Sequence, residues 1–229
     1  MVIAVSGRDL VESLNALGSG KKVVNFSIVG AFLSIQSFEP VIYNESIPID
    51  KVFELDKTNN VSAEIDTSYN IIEDSDMVLV DIGEQSLVFK TENFYSRYSK
   101  SFTQKLDVEK MDTAKTYTSV ECFSIGLLAK AEQAVNAVAR ALKVNEPAVI
   151  IKNGYAYIIL SNMAYRVKTE WPDCVLSIRV VRALNAILSR YKIQSVNLEV
   201  SSYDSSYFII DLGRHSYVAF TFKTDSSML

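Results

Sequence analysis

The chain has 229 residues, 48% of them hydrophobic and 22% charged, enough for one large domain or two of about 115 residues with a sizeable core. A net charge of −4 excludes a protein that coats nucleic acid over its whole surface, but leaves room for a local basic patch, because fields follow the distribution of charge rather than its sum. Two cysteines without metal-ligand spacing, a start without a basic n-region, and no run near the ~20 apolar residues of a membrane span predict a soluble, cytoplasmic protein with no membrane partner.

The first element is "GRDLVESLNAL", with Leu10, Val11, Leu14 and Leu17 at helical spacing, followed by Gly18 and Gly20 and then by the strand-like "KKVVNFSIV". Glycines beside Lys21 and Lys22 invite comparison with a phosphate-binding loop. That loop needs G-x-x-x-x-G-K-[ST] after a strand and before a helix. Here Lys22 stands where Ser or Thr is required, and the order is helix then strand, so the stretch reads as a helix stop. Next, "NVSAEIDTSYNIIED" carries Val61, Ile65, Tyr69 and Ile72 at helical spacing, and "MVLVDIGEQSLVFK" predicts a hairpin turning near Gly83. Residues 103–121 are polar, lack Gly and Pro and show no firm period, which suits an interdomain connector.

The longest helical segment follows, "SIGLLAKAEQAVNAVARALKV", broken at Asn145, Glu146 and Pro147. A hairpin around Asn153-Gly154 and a further strand in "AYRVKTEW" come after it. The last helix shows a helical pattern at Ile178, Val181, Ala183, Leu184 and Leu188, with Ile178, Val181, Leu184 and Leu188 carrying the apolar face, and leads into a strand at 195–200, then "YFIIDL" and "YVAFTF". The chain thus reads as four helix-then-strands units starting near residues 6, 60, 124 and 177, a spacing of about 50 that points to internal repetition. The fold class expected is α+β, with domains at 1–105 and 121–229 joined by a connector at 106–120.

Catalytic chemistry is sparse. The only histidine, His215, lies in a turn with no orienting partner in sequence. Glu73, Asp74, Asp76, Asp81 and Glu84 fail the calcium loop, which would place Val78 and Leu79 at its fifth and sixth positions, the sixth demanding Gly. The serine-rich segments "SRYSKSF" and "SSYDSSYF" have neither a glycine elbow nor a neighbouring base. No enzyme, metal or cofactor is expected.

The helices offer a different chemistry. Arg179, Arg182 and Arg190 share one narrow face of the last helix, and Lys130, Gln133, Arg140 and Lys143 form a second stripe on the middle one. The first helix contributes Arg8 and, at its exit, Lys21 and Lys22. A basic helix face is usually a solvated surface. Two such faces in an acidic protein suit a polyanion held through its phosphates, without base readout.

With these pieces in place the sequence resembles the DNA sliding clamps, above all the two-domain chains of the proliferating cell nuclear antigen and T-even phage type. The resemblance rests on "SGRDLVESLNALGSGKKVVNFSIVGAFLSI", "SIGLLAKAEQAVNAVARALKVNEPAVIIKNGYAYII" and "LSIRVVRALNAILSRYKIQSVNLEVSSYDSSYFIIDL". It implies repeated β-α-β-β-β units, two per domain, with helices on one face and antiparallel sheets on the other. It further implies a phage or viral processivity factor that encircles double-stranded DNA, tethers a DNA polymerase and is placed by a clamp loader. Two domains per chain imply a head-to-tail homotrimer, with "YFIIDL" and "YVAFTF" as open sheet edges. Arg8, Lys21, Lys22, Lys130, Arg140, Lys143, Arg179, Arg182 and Arg190 would then face DNA. Leu106, Val108 and Met111 would receive a partner's peptide, unless they only pin the connector to the core. Glu64 and Asp66 leave the second unit's helix without a basic face. The competing reading is a viral or phage structural or assembly protein with no DNA-dependent activity.

Overall fold

A computed structural model describes residues 1–18, 20–54, 59–67, 77–101, 113–122, 124–131, 148–160, 163–201, 207–214 and 216–222. The chain divides into two compact units, Met1–Asp107 with Gly213–Tyr217, and Val108–Leu212 with Val218–Leu229. Helix and sheet are mixed, and the strands of each unit pair antiparallel.

Unit 1 opens with β1 (Val2–Ser6), whose last residue caps α1 (Gly7–Ala16). The Ser6 hydroxyl accepts from the Asp9 amide at 3.3 Å, satisfying one of the orphan donors at a helix start. Leu10, Val11 and Leu14 form the buried stripe. The helix stops where the glycines predict: the amides of Leu17 and Gly18 return to the carbonyls of Leu14 and Asn15, and Gly18 takes a φ of +81°. β2 (Lys21–Val29) follows directly, so the Gly-Lys stretch is a helix-to-strand turn.

Seven further strands complete the unit: β3 (Phe32–Ser37), β4 (Ile42–Pro48), β5 (Lys51–Glu54), β6 (Asn60–Asp66), β7 (Met77–Ile82), β8 (Ser86–Lys90) and β9 (Tyr95–Ser99). They form a sheet in the order β5-β1-β7-β8-β9 and a run in the order β6-β2-β3-β4. Phe26 on β2 meets Phe89 on β8 edge to face, ring centres 5.6 Å apart, and so ties the two together.

One predicted element changes type. Residues 60–66, expected as the start of a helix, are β6, paired with β2 from Ser27↔Asn60 to Lys21↔Asp66. Val61 and Ile65 satisfy both a period of four and a period of two, and the buried Ala63 between them decides for the strand. Tyr69 and Ile72 lie outside the described residues. Glu64 and Asp66 therefore stand on a strand.

Unit 2 begins with β10 (Thr113–Glu121), which pairs with β15 (Ser195–Ser201). Residues 113–120 of the expected connector are thus a strand of this unit, while 106–112 lie outside the described residues. The register of β10 shifts between Thr113 and Lys115 and again between Tyr117 and Val120, and Ser119 has a φ of +55°. Those irregularities break the alternation that would reveal a strand in sequence.

Residues 124–131 are helical (α2), and β11 (Ala148–Lys152) and β12 (Tyr155–Leu160) form the hairpin expected at Asn153-Gly154, both turn residues having positive φ. β13 (Met163–Lys168), β14 (Cys174–Ser177), α3 (Ile178–Arg190), β16 (Tyr207–Gly213) and β17 (Ser216–Thr221) complete the order. As with Ser6, the Ser177 hydroxyl accepts from a helix amide, that of Val180 at 3.4 Å.

The strands of unit 2 form a sheet β13-β12-β11-β14 and a run β10-β15-β16-β17. β16 lies inside that run, so "YFIIDL" offers no open edge; the terminal strands are β5, β9 and β6 in unit 1 and β13, β14 and β10 in unit 2. Trp171 closes the core: its indole N–H donates to the Glu121 carbonyl at 3.0 Å and its ring lies 6.1 Å from that of Phe220. Strand, helix, three strands recurs as β1-α1-β2-β3-β4, as β10-α2-β11-β12-β13 and as β14-α3-β15-β16-β17.

Candidate nucleic-acid interface

A basic surface among the described residues lies on α3. Its buried stripe, Ile178, Val181, Leu184, Ile187 and Leu188, leaves the opposite face to Arg179, Arg182 and Arg190. At ~100° per residue these three fall within an arc of about 80°. Arg179 and Arg182 are exposed, and Arg190 lies over the Tyr191 ring with its guanidinium 5.6 Å from the centre. No carboxylate interrupts α3 along its length. Arg190 occupies the last turn, where a cation also complements the helix dipole.

α2 packs against α3 inside unit 2. A Cβ built on Gly126 would come within 3.3 Å of the Asn185 Oδ1, so the absence of a side chain sets the approach of the two helices. Lys130 is exposed one turn beyond Gly126, and Arg182 lies one turn before Asn185. The seam of the two helices is thereby flanked by cations from both. Arg140 and Lys143 lie outside the described residues, as do Leu106, Val108 and Met111.

The cations predicted from unit 1 are differently engaged. Arg8 pairs with Glu12 at 3.1 Å across one turn of α1, which partly offsets its charge. Lys21 stands on β2 with its ammonium 3.9 Å from the Glu64 carboxylate. Lys22 is half-buried, donates to the Leu17 carbonyl, and so closes the C-terminus of α1; burial lowers its pKa from the ordinary lysine value. Sequence reasoning missed these pairings. The i,i+4 spacing of Arg8 and Glu12 was the readable signal, whereas the Lys21–Glu64 contact follows from a register that the helical reading of residues 60–66 concealed.

His215 lies outside the described residues. Among the described residues no group of three or more His, Cys, Asp or Glu could hold a metal ion. Cys122 and Cys174 are buried free thiols, pushed up to about 11 and about 12, first by burial and then by the neighbouring carboxylates of Glu121 and Asp173. No described helix is long and apolar enough to cross a membrane. Three guanidinium groups on one helix face are donors of the kind that engage phosphates irrespective of base sequence.

No family model matches the chain, and no curated protein sequence matches it. Solved structures match throughout its length. The β clamp of Helicobacter pylori bound to a DNA ligase peptide is 11% identical with a TM-score of 0.62, covering 100% of this chain and 70% of that one. The DNA polymerase III β subunit of Thermotoga maritima is 8% identical with a TM-score of 0.63, covering 98% of this chain and 65% of that one. A chain of the PCNA2–PCNA3 complex from Sulfolobus tokodaii is 8% identical with a TM-score of 0.59, covering 98% of this chain and 100% of that one. The chain spans about two thirds of the β clamps and the whole of the PCNA chain. Its fold is that of the DNA sliding clamps.

Proposed function

We propose that the chain is a subunit of a DNA sliding clamp, a processivity factor that encircles duplex DNA without reading its sequence and tethers a replicative polymerase. The observation that carries this reading is the arginine face of α3 on a sliding-clamp fold, a cationic surface in a protein of net charge −4. Its role is to bind and orient rather than to react. Arg179, Arg182, Arg190 and Lys130 attract phosphates over a distance and let the duplex slide, and the sequence offers Arg140 and Lys143 as further cations for the same role. Direct affinity for linear DNA is then weak, and retention comes from topology.

Assembly is head to tail, with three chains of two units each, and it requires sheet edges that accept a neighbour. β9 and β13 fit that need: each ends its sheet, and Tyr95 on β9 and Tyr165 on β13 are 62% and 40% exposed. The full coverage of the PCNA chain supports two domains per subunit. Leu106, Val108 and Met111 are the proposed dock for a polymerase peptide, and a clamp loader opens the ring. Supplied as a phage or viral product, such a clamp would act in the host cell cytoplasm.

Loading on closed circular DNA tests the reading. Protein retained on the circle and lost on linearisation is expected, with Arg179→Glu and Arg182→Glu together abolishing processive synthesis while the fold survives. Exposed changes of this kind cost within about 0.5 kcal/mol. A double variant as processive as the parent removes α3 from the DNA path. Sedimentation equilibrium showing a strict monomer at micromolar concentration counts against the ring, and unchanged polymerase affinity in folded Met111→Asp removes the connector from the dock.

A further inference from the structure

We propose that the outward face of the sheet β13-β12-β11-β14 binds single-stranded nucleic acid. Alternation along its strands sends Val149, Ile151, Ala156, Ile158, Cys174 and Leu176 to the core. The other face carries two rungs, Ile150–Tyr157–Arg166 and Lys152–Tyr155–Lys168, set side by side by the strand register. Three cations and two tyrosines thus share one small patch.

The geometry suits a ligand with both phosphates and free bases. Tyr155 is 38% exposed, and its ring lies 6.3 Å from that of Tyr157 at an interplanar angle of 45°. The Arg166 guanidinium sits 5.4 Å from the centre of the Tyr155 ring, so the planar cation and the ring form one apolar-cationic shelf. None of Lys152, Arg166 and Lys168 is ion-paired to a carboxylate of the described residues. The carboxylates nearest in sequence, Glu170 and Asp173, follow β13; that of Asp173 is engaged by the Asn153 amide at 2.9 Å.

Two alternatives fit less well. An acidic peptide would use the cations and leave the rings idle, and duplex DNA presents no base faces to stack on them. Single strands use both features, tracking cations with their phosphates and stacking bases on aromatic rings without sequence preference. The fold itself does not require this dressing. The run β6-β2-β3-β4 of unit 1, reached by the same order of elements, carries Asn, Gln and Ser at the matching face and no cation or tyrosine in its central rungs. This inference does not rest on the sliding-clamp reading.

Fluorescence anisotropy with a labelled oligothymidylate of about fifteen nucleotides tests it, with a duplex of equal length and a poly-glutamate peptide as competitors. The oligothymidylate is expected to bind, its affinity falling with salt at a log–log slope of about −2, as three phosphate contacts on a single strand require. Arg166→Ala with Lys168→Ala should lower affinity at least tenfold and flatten the slope to about −0.7. Tyr155→Leu should lower it about tenfold with the slope unchanged, since it removes stacking alone. All three positions are exposed, so the fold is expected to persist, and circular dichroism checks it. No binding, unaltered binding by the Arg166/Lys168 and Tyr155 variants, or preferential binding of the duplex or the peptide would each overturn the proposal.

Discussion

Two stretches of sheet with the same strand order, β6-β2-β3-β4 in unit 1 and β14-β11-β12-β13 in unit 2, share one face and differ in the other. The shared face is apolar: Phe26, Leu33, Ile35 and Val61 in the first, Val149, Ala156, Ile158 and Leu176 in the second, all buried. On the opposite face unit 1 has short uncharged side chains in a rung Ser62–Asn25–Gln36–Asn44. They bond to one another: the Asn25 amide donates to Ser62 Oγ at 3.0 Å and to Asn60 Oδ1 at 3.1 Å, and Ser34 donates to Asn44 at 2.7 Å. Asn25 is 2% exposed, against 38% for Tyr155 on the corresponding face of unit 2. The fold constrains the apolar face of each sheet. The second face is open to other uses, internal hydrogen bonding in one unit and an exposed cationic-aromatic patch in the other.

The comparison can be broken most forcefully at its common element. Phe26→Ala and Ile158→Ala should each destabilise their unit, by about 3–5 and about 2–5 kcal/mol in urea unfolding, since both empty a packed site. A loss below about 1 kcal/mol at either would mean that the two apolar faces are not equivalent. Tyr43→Phe should follow with about 1–3 kcal/mol, because Tyr43 donates to the buried Glu45 carboxylate at 2.6 Å on that same side of unit 1.

The differing faces predict smaller, unequal effects. Ser62→Ala should cost about 1 kcal/mol by removing an acceptor from Asn25, whose own Oδ1 has no partner. Lys168→Ala should cost no more than about 0.5 kcal/mol, as exposed changes do. Equal costs would erase the distinction between a structural and a displayed face. The weakest effect concerns pH. The folded chain raises the Cys174 thiol from 9.0 to about 12 and so holds that proton more tightly than the unfolded chain. This contribution is complete below about pH 9 and is lost as pH climbs towards 12. Between about pH 8 and pH 10.5 the parent should therefore lose more stability than Cys174→Ala, and an equal loss in both would exclude the thiol as a source.

Much of this was legible in the sequence where one period dominates. The helix stop at Gly18, the Asn153-Gly154 hairpin and the arginine face of α3 are local features, each decided by a few residues and their spacing. Legibility failed where two periods coincide, as at Val61 and Ile65, and where a strand is irregular, as in β10 with its two register shifts. The basic residues show the same divide. That Arg179 and Arg182 are exposed on one helix face follows from helical geometry, but that Lys22 reaches back to close α1 depends on a turn conformation that composition does not encode. The tyrosine-cation patch was hidden for another reason. Its residues come from three strands, and only the cross-strand register brings Tyr157 beside Arg166.

The single tryptophan of the chain stands in the core of unit 2, 2% exposed, with its indole N–H held by the Glu121 carbonyl. Its emission is consequently a private optical channel for one half of the molecule. Blue-shifted fluorescence will track unit 2 alone as denaturant rises, while circular dichroism sums both units. Coincident midpoints would make the two units one cooperative block, and separated midpoints would assign each transition to its unit without a label or a truncation.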